Sequence, residues 1–209
     1  SFPTRRSSDL HLRPTSMKLG IILMLLASSA TAITDIIPMV VTNGIISKNS
    51  VNSVNIASPT SRIDFPSSDG ESIDITTVYW GSTEETSALA SGIVVHQYGV
   101  KLRSANTCNV VYIMHNFSNA PTVSISVKQN DGMSTHKECG AGGYKQIATI
   151  SVPKTIVGQQ IRMKAYFLED TLHYMENNTL LWSGKVSFNK KCISGFRSDN
   201  VKVNLILWN

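Results

Sequence analysis

Alternation of apolar and polar residues with a period of two runs through most of this chain and constrains its fold most strongly. Between residues 122 and 128, for example, Val123, Ile125 and Val127 alternate with polar residues. Because successive side chains of a strand point to opposite faces of a sheet, this pattern indicates half-buried strands. The same interpretation predicts strands over residues 73–80, 92–103, 108–115, 122–128, 144–152, 160–168, 180–188 and 201–208.

Turn residues separate these runs, and no amphipathic segment is long enough for a major helix. A short helix or a few turns are expected at most, in 82–89 or 168–176. The pattern therefore predicts an all-β fold, an antiparallel β-sandwich of the immunoglobulin-like or jelly-roll type, with a β-barrel as the alternative. The nearly all-apolar run 108–115 predicts a strand that is central or buried on both faces.

The beginning of the chain carries two segments that we set apart from the folded domain. Residues 1–10 match the translation of a common short-read sequencing adapter, so residues 1–16 are interpreted as a non-native leader. Residues 17–32 combine Met-Lys, a short apolar run and a small-residue end at 30–32, which is typical of a secretory signal peptide. The sequence thus predicts a secreted, extracellular protein.

The remaining chain divides by composition into an arm and a domain. Residues 33–72 include a long stretch rich in Ser, Asn, Asp and Pro, which predicts a poorly ordered arm with a short edge strand near 39–41. Residues 73–209 are predicted to form the β-sandwich. The apolar run 19–27 is shorter than the ~20 residues that a membrane span needs, so no transmembrane anchor is expected.

Charge argues against a nucleic-acid partner. The full chain has a net charge of +5, but residues 33–209 hold 15 basic and 13 acidic residues, which leaves +2. Such a nearly neutral chain has no strong attraction for polyanions as a whole. The expected partner is an unknown extracellular ligand or protein.

Three cysteines allow one intrachain disulfide and leave one thiol. If the strands run up and down in order, Cys108 and Cys139 lie at the same end of the sheet, and they are the predicted pair. A Greek-key crossover would instead favour Cys139 with Cys192. In the first case Cys192 is free or intermolecular, which leaves a disulfide-linked dimer open.

Two short motifs match the acceptor pattern for N-glycosylation. They are Asn116-Phe-Ser and Asn177-Asn-Thr, and both are predicted to lie on the surface of a glycoprotein.

No motif for catalysis, metal binding or a cofactor stands out, so we expect none of the three, although an enzyme is not excluded. The nearest feature to a binding surface is the polar face of the strand at 160–168, where Arg162, Lys164 and Tyr166 share one side. The sequence favours a secreted binding protein for a glycan, a cell-surface polymer or a protein. The alternatives are a secreted hydrolase with dispersed active-site residues and an assembly protein of a coat or matrix.

Overall fold

The computed structural model describes residues 38–50, 52–188, 190 and 192–207; the predicted leader and the predicted signal peptide lie outside these ranges. The described elements are, in chain order, β1 (Val40–Asn43), β2 (Ile46–Ser50), β3 (Ser53–Ile56), β4 (Thr60–Phe65), β5 (Ser72–Ser82), β6 (Gln97–Asn106), β7 (Asn109–Asn116), β8 (Thr122–Lys128), α1 (His136–Cys139), β9 (Tyr144–Ser151), β10 (Gln160–Leu168), β11 (Thr171–Glu176), β12 (Thr179–Lys185), β13 (Ile193–Asp199) and β14 (Val201–Leu207).

The strands form two seven-stranded sheets, which we call the front and back sheets. The front sheet has the order β1-β4-β13-β6-β7-β8-β9, and the back sheet has the order β12-β11-β10-β5-β14-β3-β2. Neighbouring strands in both sheets are antiparallel. The predicted β-sandwich is confirmed, and the barrel alternative does not occur, because the strands divide between two sheets. Across these described ranges, no helix has the length and apolar character to cross a bilayer.

Most apolar residues of the inner strands point into the space between the sheets. The front sheet contributes Ile63, Val100, Ile113, Ile125 and Phe196, all of which are fully buried. The back sheet faces them with its own buried residues, which include Ile75, Met163, Leu172, Val203 and Leu205. Burial of this apolar surface is the main favourable contribution to folding.

Four strands lie within the stretch for which the sequence predicts a poorly ordered arm. β1 is an edge strand of the front sheet, β4 lies inside that sheet, and β2 and β3 complete the back sheet. The apolar residues of this segment are sparse, but Val54, Ile56, Ile63 and Phe65 alternate and are buried in the core. Their burial outweighs the polar composition around them.

The segment after β10 forms a hairpin rather than a helix. Glu169 has a positive φ of 55°, and the chain returns at once as β11. In β11, Leu172 and Tyr174 are fully buried against the other sheet, which is a period of two and not the spacing of a helix.

The disulfide joins Cys108 to Cys139, with a Cα–Cα distance of 5.8 Å, as the up-and-down order predicts. Cys108 precedes β7, and Cys139 ends α1 in the loop that follows β8, so both lie at one end of the β7–β8 hairpin. In that loop, the carboxylate of Glu138 accepts hydrogen bonds from the backbone N–H groups of Thr135 and Ser134 at 2.8 and 3.0 Å. These bonds lower the pKa of Glu138.

Candidate functional site

A groove of about 850 Å³ lies on the outer face of the front sheet, away from the core. Residues of all seven strands of the front sheet line it, and loops rise around it. We call it the front-sheet groove. The charged and aromatic residues of its floor are Arg62, Asp64, Lys101, Tyr112, Lys128, Tyr144 and Arg197.

The strand register places these residues in transverse rows. The central row runs through Asp64, Gly195, Lys101, Tyr112, Ser126 and Gln146, each paired with the next across neighbouring strands. Gly195 leaves space for Lys101 to cross β13 and pair with Asp64, because a Cβ there would lie 2.3 Å from the Ile63 carbonyl oxygen and 2.7 Å from Lys101 Cε. Burial lowers the pKa of Lys101 despite the adjacent carboxylate of Asp64.

Two loops that form walls of the groove are tied to the sandwich. Residues 88–91 line one side, and the loop is held by Asn200, whose Nδ2 donates to the carbonyls of Ser87 and Val95 at 2.9 and 2.7 Å. The segment 134–141 contributes lining residues on another side, where the Cys108–Cys139 bond anchors it to the start of β7. The groove is therefore preformed rather than made by free loops.

Asp199 holds two arginines at one end of the floor. Its Oδ1 accepts a hydrogen bond from Arg62 Nη2 at 2.7 Å, and its Oδ2 accepts hydrogen bonds from Arg197 Nε and Gln97 Nε2, each at 2.8 Å. Burial alone would raise the pKa of Asp199, but the guanidinium groups of Arg197 and Arg62 outweigh it and lower that pKa. Burial and the facing Arg197 lower the pKa of Arg62.

Two tyrosine rings lie between the cations Arg197 and Lys128 on the floor. The Arg197 guanidinium lies 5.0 Å from the Tyr112 ring centroid, and its Nη1 donates to the Tyr144 hydroxyl at 3.3 Å. The Tyr112 and Tyr144 centroids are 6.2 Å apart, and Lys128 Nζ lies 5.2 Å from the Tyr144 centroid. Tyr112, Lys128 and Arg197 are buried, whereas Tyr144 is 47% exposed. Tyr144 therefore presents an open aromatic surface beside fixed charges.

The face predicted from sequence lies on the opposite side of the molecule. Arg162, Lys164 and Tyr166 do share the outer face of β10 in the back sheet. Arg162 makes a two-pronged ion pair with Asp74, with Nε–Oδ1 and Nη2–Oδ2 distances of 2.8 and 2.7 Å. Tyr166 stacks on His173 with ring centroids 4.9 Å apart. Binding at this face stays a prediction.

The other predicted surface residues lie outside the groove lining. Asn116 ends β7, and its Oδ1 accepts the N–H of Ser118 at 3.0 Å. Asn177 is exposed in the β11–β12 turn, with Oδ1 2.9 Å from the N–H of Arg162. Cys192 is an exposed free thiol. The disulfide found in the described residues is intrachain, so it does not support the disulfide-linked dimer that the sequence leaves open.

Among the described residues, no group of three or more His, Cys, Asp and Glu side chains is placed to hold a metal ion. The carboxylates of the groove are instead engaged with cations, Asp64 with Lys101 and Asp199 with both arginines.

Sequence reasoning missed the front-sheet groove, although one signal pointed to it. The run 108–115 is apolar on both faces, and in β7 the outward Val110, Tyr112 and Met114 form a small buried cluster of their own. An outer strand face that is buried must be covered by neighbouring side chains or loops. This was the sequence-level indication of a walled surface on that sheet.

Comparison with known proteins shows the fold alone. No family model matches the sequence, and no curated protein matches it. Among solved structures, the carbohydrate-binding module CBM66 from Bacillus subtilis aligns with a TM-score of 0.59 and 11% identity, over 83% of this chain and 94% of the module. A functionally unknown protein from Saccharomyces cerevisiae aligns with a TM-score of 0.53 and 9% identity, over 82% and 94%. Galectin-Va from Xenopus laevis aligns at 0.44 with 12% identity, over 66% and 88%.

Proposed function

We propose that this protein is a secreted glycan-binding module that holds a saccharide in the front-sheet groove. The observation that carries the proposal is the open ring of Tyr144 beside the buried polar floor. A sugar ring has an apolar face that packs on an aromatic ring and hydroxyl groups that pair with fixed polar side chains. Tyr144, Arg197 and Gln146 offer both kinds of contact within one groove.

The fold likeness adds support, because the B. subtilis protein with a TM-score of 0.59 is a carbohydrate-binding module. Secretion is supported by the signal-peptide pattern at 17–32 and by the intrachain disulfide, since such bonds persist in oxidising compartments. In that setting Asn116 and Asn177 are candidate glycan acceptors.

The electrostatics of the groove favour binding over hydrolysis. A glycoside hydrolase needs a carboxylic acid whose pKa is raised so that it can protonate the leaving group. The pKa of Asp199 is instead lowered by its two arginines, and the carboxyl group is fully buried. Its role in this proposal is to fix Arg62 and Arg197 in place.

The test is saccharide binding by two matched tyrosine variants. Tyr144→Ala removes the open ring of the front-sheet groove. We expect its saccharide affinity, measured by glycan array and calorimetry, to fall about five- to thirtyfold, since a stacked ring contributes about 1–2 kcal/mol. Tyr166→Ala removes a ring from the back sheet and should bind like the wild type.

The two variants also separate the alternatives. Loss of binding in Tyr166→Ala, with Tyr144→Ala unaffected, would assign the site to the face of Arg162 and Lys164 and refute the groove. Absence of saccharide binding by the wild type would refute the function itself.

A further inference from the structure

The front-sheet groove contains more positive than negative charge. Among the described residues, four cations line its floor, Arg62, Lys101, Lys128 and Arg197, and the carboxylates that pair with them are Asp64 and Asp199. Lys101 has Asp64 as a partner of its own. A single carboxylate, Asp199, serves both arginines, which leaves one positive charge without compensation.

Lys128 provides the second uncompensated charge. The residue is 2% exposed, and its Nζ donates to the neutral carbonyl of Gly140 at 2.8 Å. No ion pair within 4 Å is found for it among the described residues, and its Nζ lies 5.2 Å from the centroid of the Tyr144 ring. Burial, and then repulsion by Arg197, lower the pKa of Lys128. Burying an ammonium group without a counter-charge has an unfavourable desolvation free energy, which a bound anion would offset.

The charged groups of Arg197 and Lys128 both lie next to the exposed ring of Tyr144. Arg197 donates to the hydroxyl of Tyr144, and Lys128 approaches the face of the same ring. A saccharide stacked on Tyr144 would therefore carry its substituents into reach of both cations. A neutral sugar would exclude water from them without supplying a counter-charge, whereas a carboxylate or sulfate would form charge-assisted hydrogen bonds.

We propose, on the basis of the glycan-binding function above, that the groove selects an acidic saccharide and seats its carboxylate or sulfate group beside Tyr144, between Lys128 and Arg197. The recognised group is an anion on a sugar, which is either the carboxylate of a uronic acid or a sulfate ester. The experiment uses one probe for each form.

The experiment compares acidic saccharides with their masked forms by calorimetry. Oligogalacturonate is paired with its methyl ester, and a heparin oligosaccharide with its desulfated and carboxyl-reduced form. We expect one acidic probe to bind at least about tenfold more tightly than its masked counterpart, and its affinity to fall several-fold on raising NaCl to about 0.5 M, because salt screens the ion pairs.

Two lysine variants locate the effect. Lys128→Gln should lose most of the preference for the acidic probe, while Lys128→Arg should keep it. Lys164→Gln removes an equal charge from the exposed face of the back sheet, where its side chain is 47% exposed, and should have no effect. Thermal unfolding of each variant establishes that it is folded, and the salt titration of the wild type needs no substitution.

The outcomes separate the two proposals. Equal binding of acidic and masked forms, with dependence on Tyr144, would overturn the acidic selectivity and leave the glycan-binding function standing. Binding of a thymidine oligonucleotide more tightly than of any acidic saccharide would overturn the selectivity in favour of a nucleic-acid ligand. Failure of every saccharide to bind would overturn both.

Discussion

Replacing Asp199 by asparagine tests whether the buried carboxylate holds the arginines of the groove. The amide side chain would keep the shape but offer one acceptor oxygen, where the carboxylate now accepts three hydrogen bonds of 2.7–2.8 Å. Breaking a buried ion pair from one side costs about 3–5 kcal/mol, because a charge is left uncompensated. Arg62, with its side chain 21% exposed, can turn toward water, but Arg197 is only 9% exposed. We therefore expect a loss of about 3 kcal/mol, the lower end of that range.

The assay is urea denaturation, supported by thermal unfolding. A loss of that size corresponds to a fall in Tm of about 6–12 °C for a chain of this length. The matched control is Asp74→Asn on the back sheet, which breaks the ion pair with Arg162, whose side chain is 42% exposed. An exposed pair contributes less than about 1 kcal/mol. Equal destabilisation by the two variants, within about 0.5 kcal/mol, would refute the argument from burial.

The pKa shift of Asp199 and the disulfide yield two further predictions. The folded-state pKa of Asp199 lies below the ordinary value of about 3.9, so the unfolded state binds more protons than the folded state near that pH. Tm should therefore stay constant above about pH 5 and fall below about pH 4. A Tm that rises on acidification would contradict this prediction. Replacing Cys108 and Cys139 by serine should lower the free energy of unfolding by about 3.7 kcal/mol, since the bond spans 31 residues. Cys192→Ser, on the surface, is the control that should change it by less than about 0.5 kcal/mol; an unchanged double variant would contradict the prediction.

Strands with clean alternation were predictable because the information is local. The predicted ranges 122–128 and 160–168 coincide with β8 and β10. The disulfide was predictable for a related reason: its cysteines flank one hairpin, so the pairing depends on strand direction and not on distant topology. The strand β11 was not predicted, because its two buried apolar residues, Leu172 and Tyr174, form too short a pattern to distinguish a strand from a helical turn.

The strand β13 escaped prediction because its pattern is not amphipathic. Of its residues, Phe196 points into the core, while Arg197 and Asp199 are buried on the outer face by their mutual ion pairs. Polar residues that are buried by pairing with one another give no hydrophobic periodicity. One partner is also remote, since Arg62, which pairs with Asp199, lies on the adjacent strand β4, 137 residues earlier in the chain.

Local alternation specifies which side chains of a strand point inward, because the side-chain period of a strand is two wherever the strand lies. It was therefore enough for the β-sandwich and for most of its core. Strand order and register depend on the summed packing of segments far apart in the chain, and they alone bring Arg62, Lys101, Lys128, Tyr144 and Arg197 to one surface. The groove and its excess of positive charge thus belong to the tertiary structure: burial and pairing create them, and neither can be read from residues taken in order.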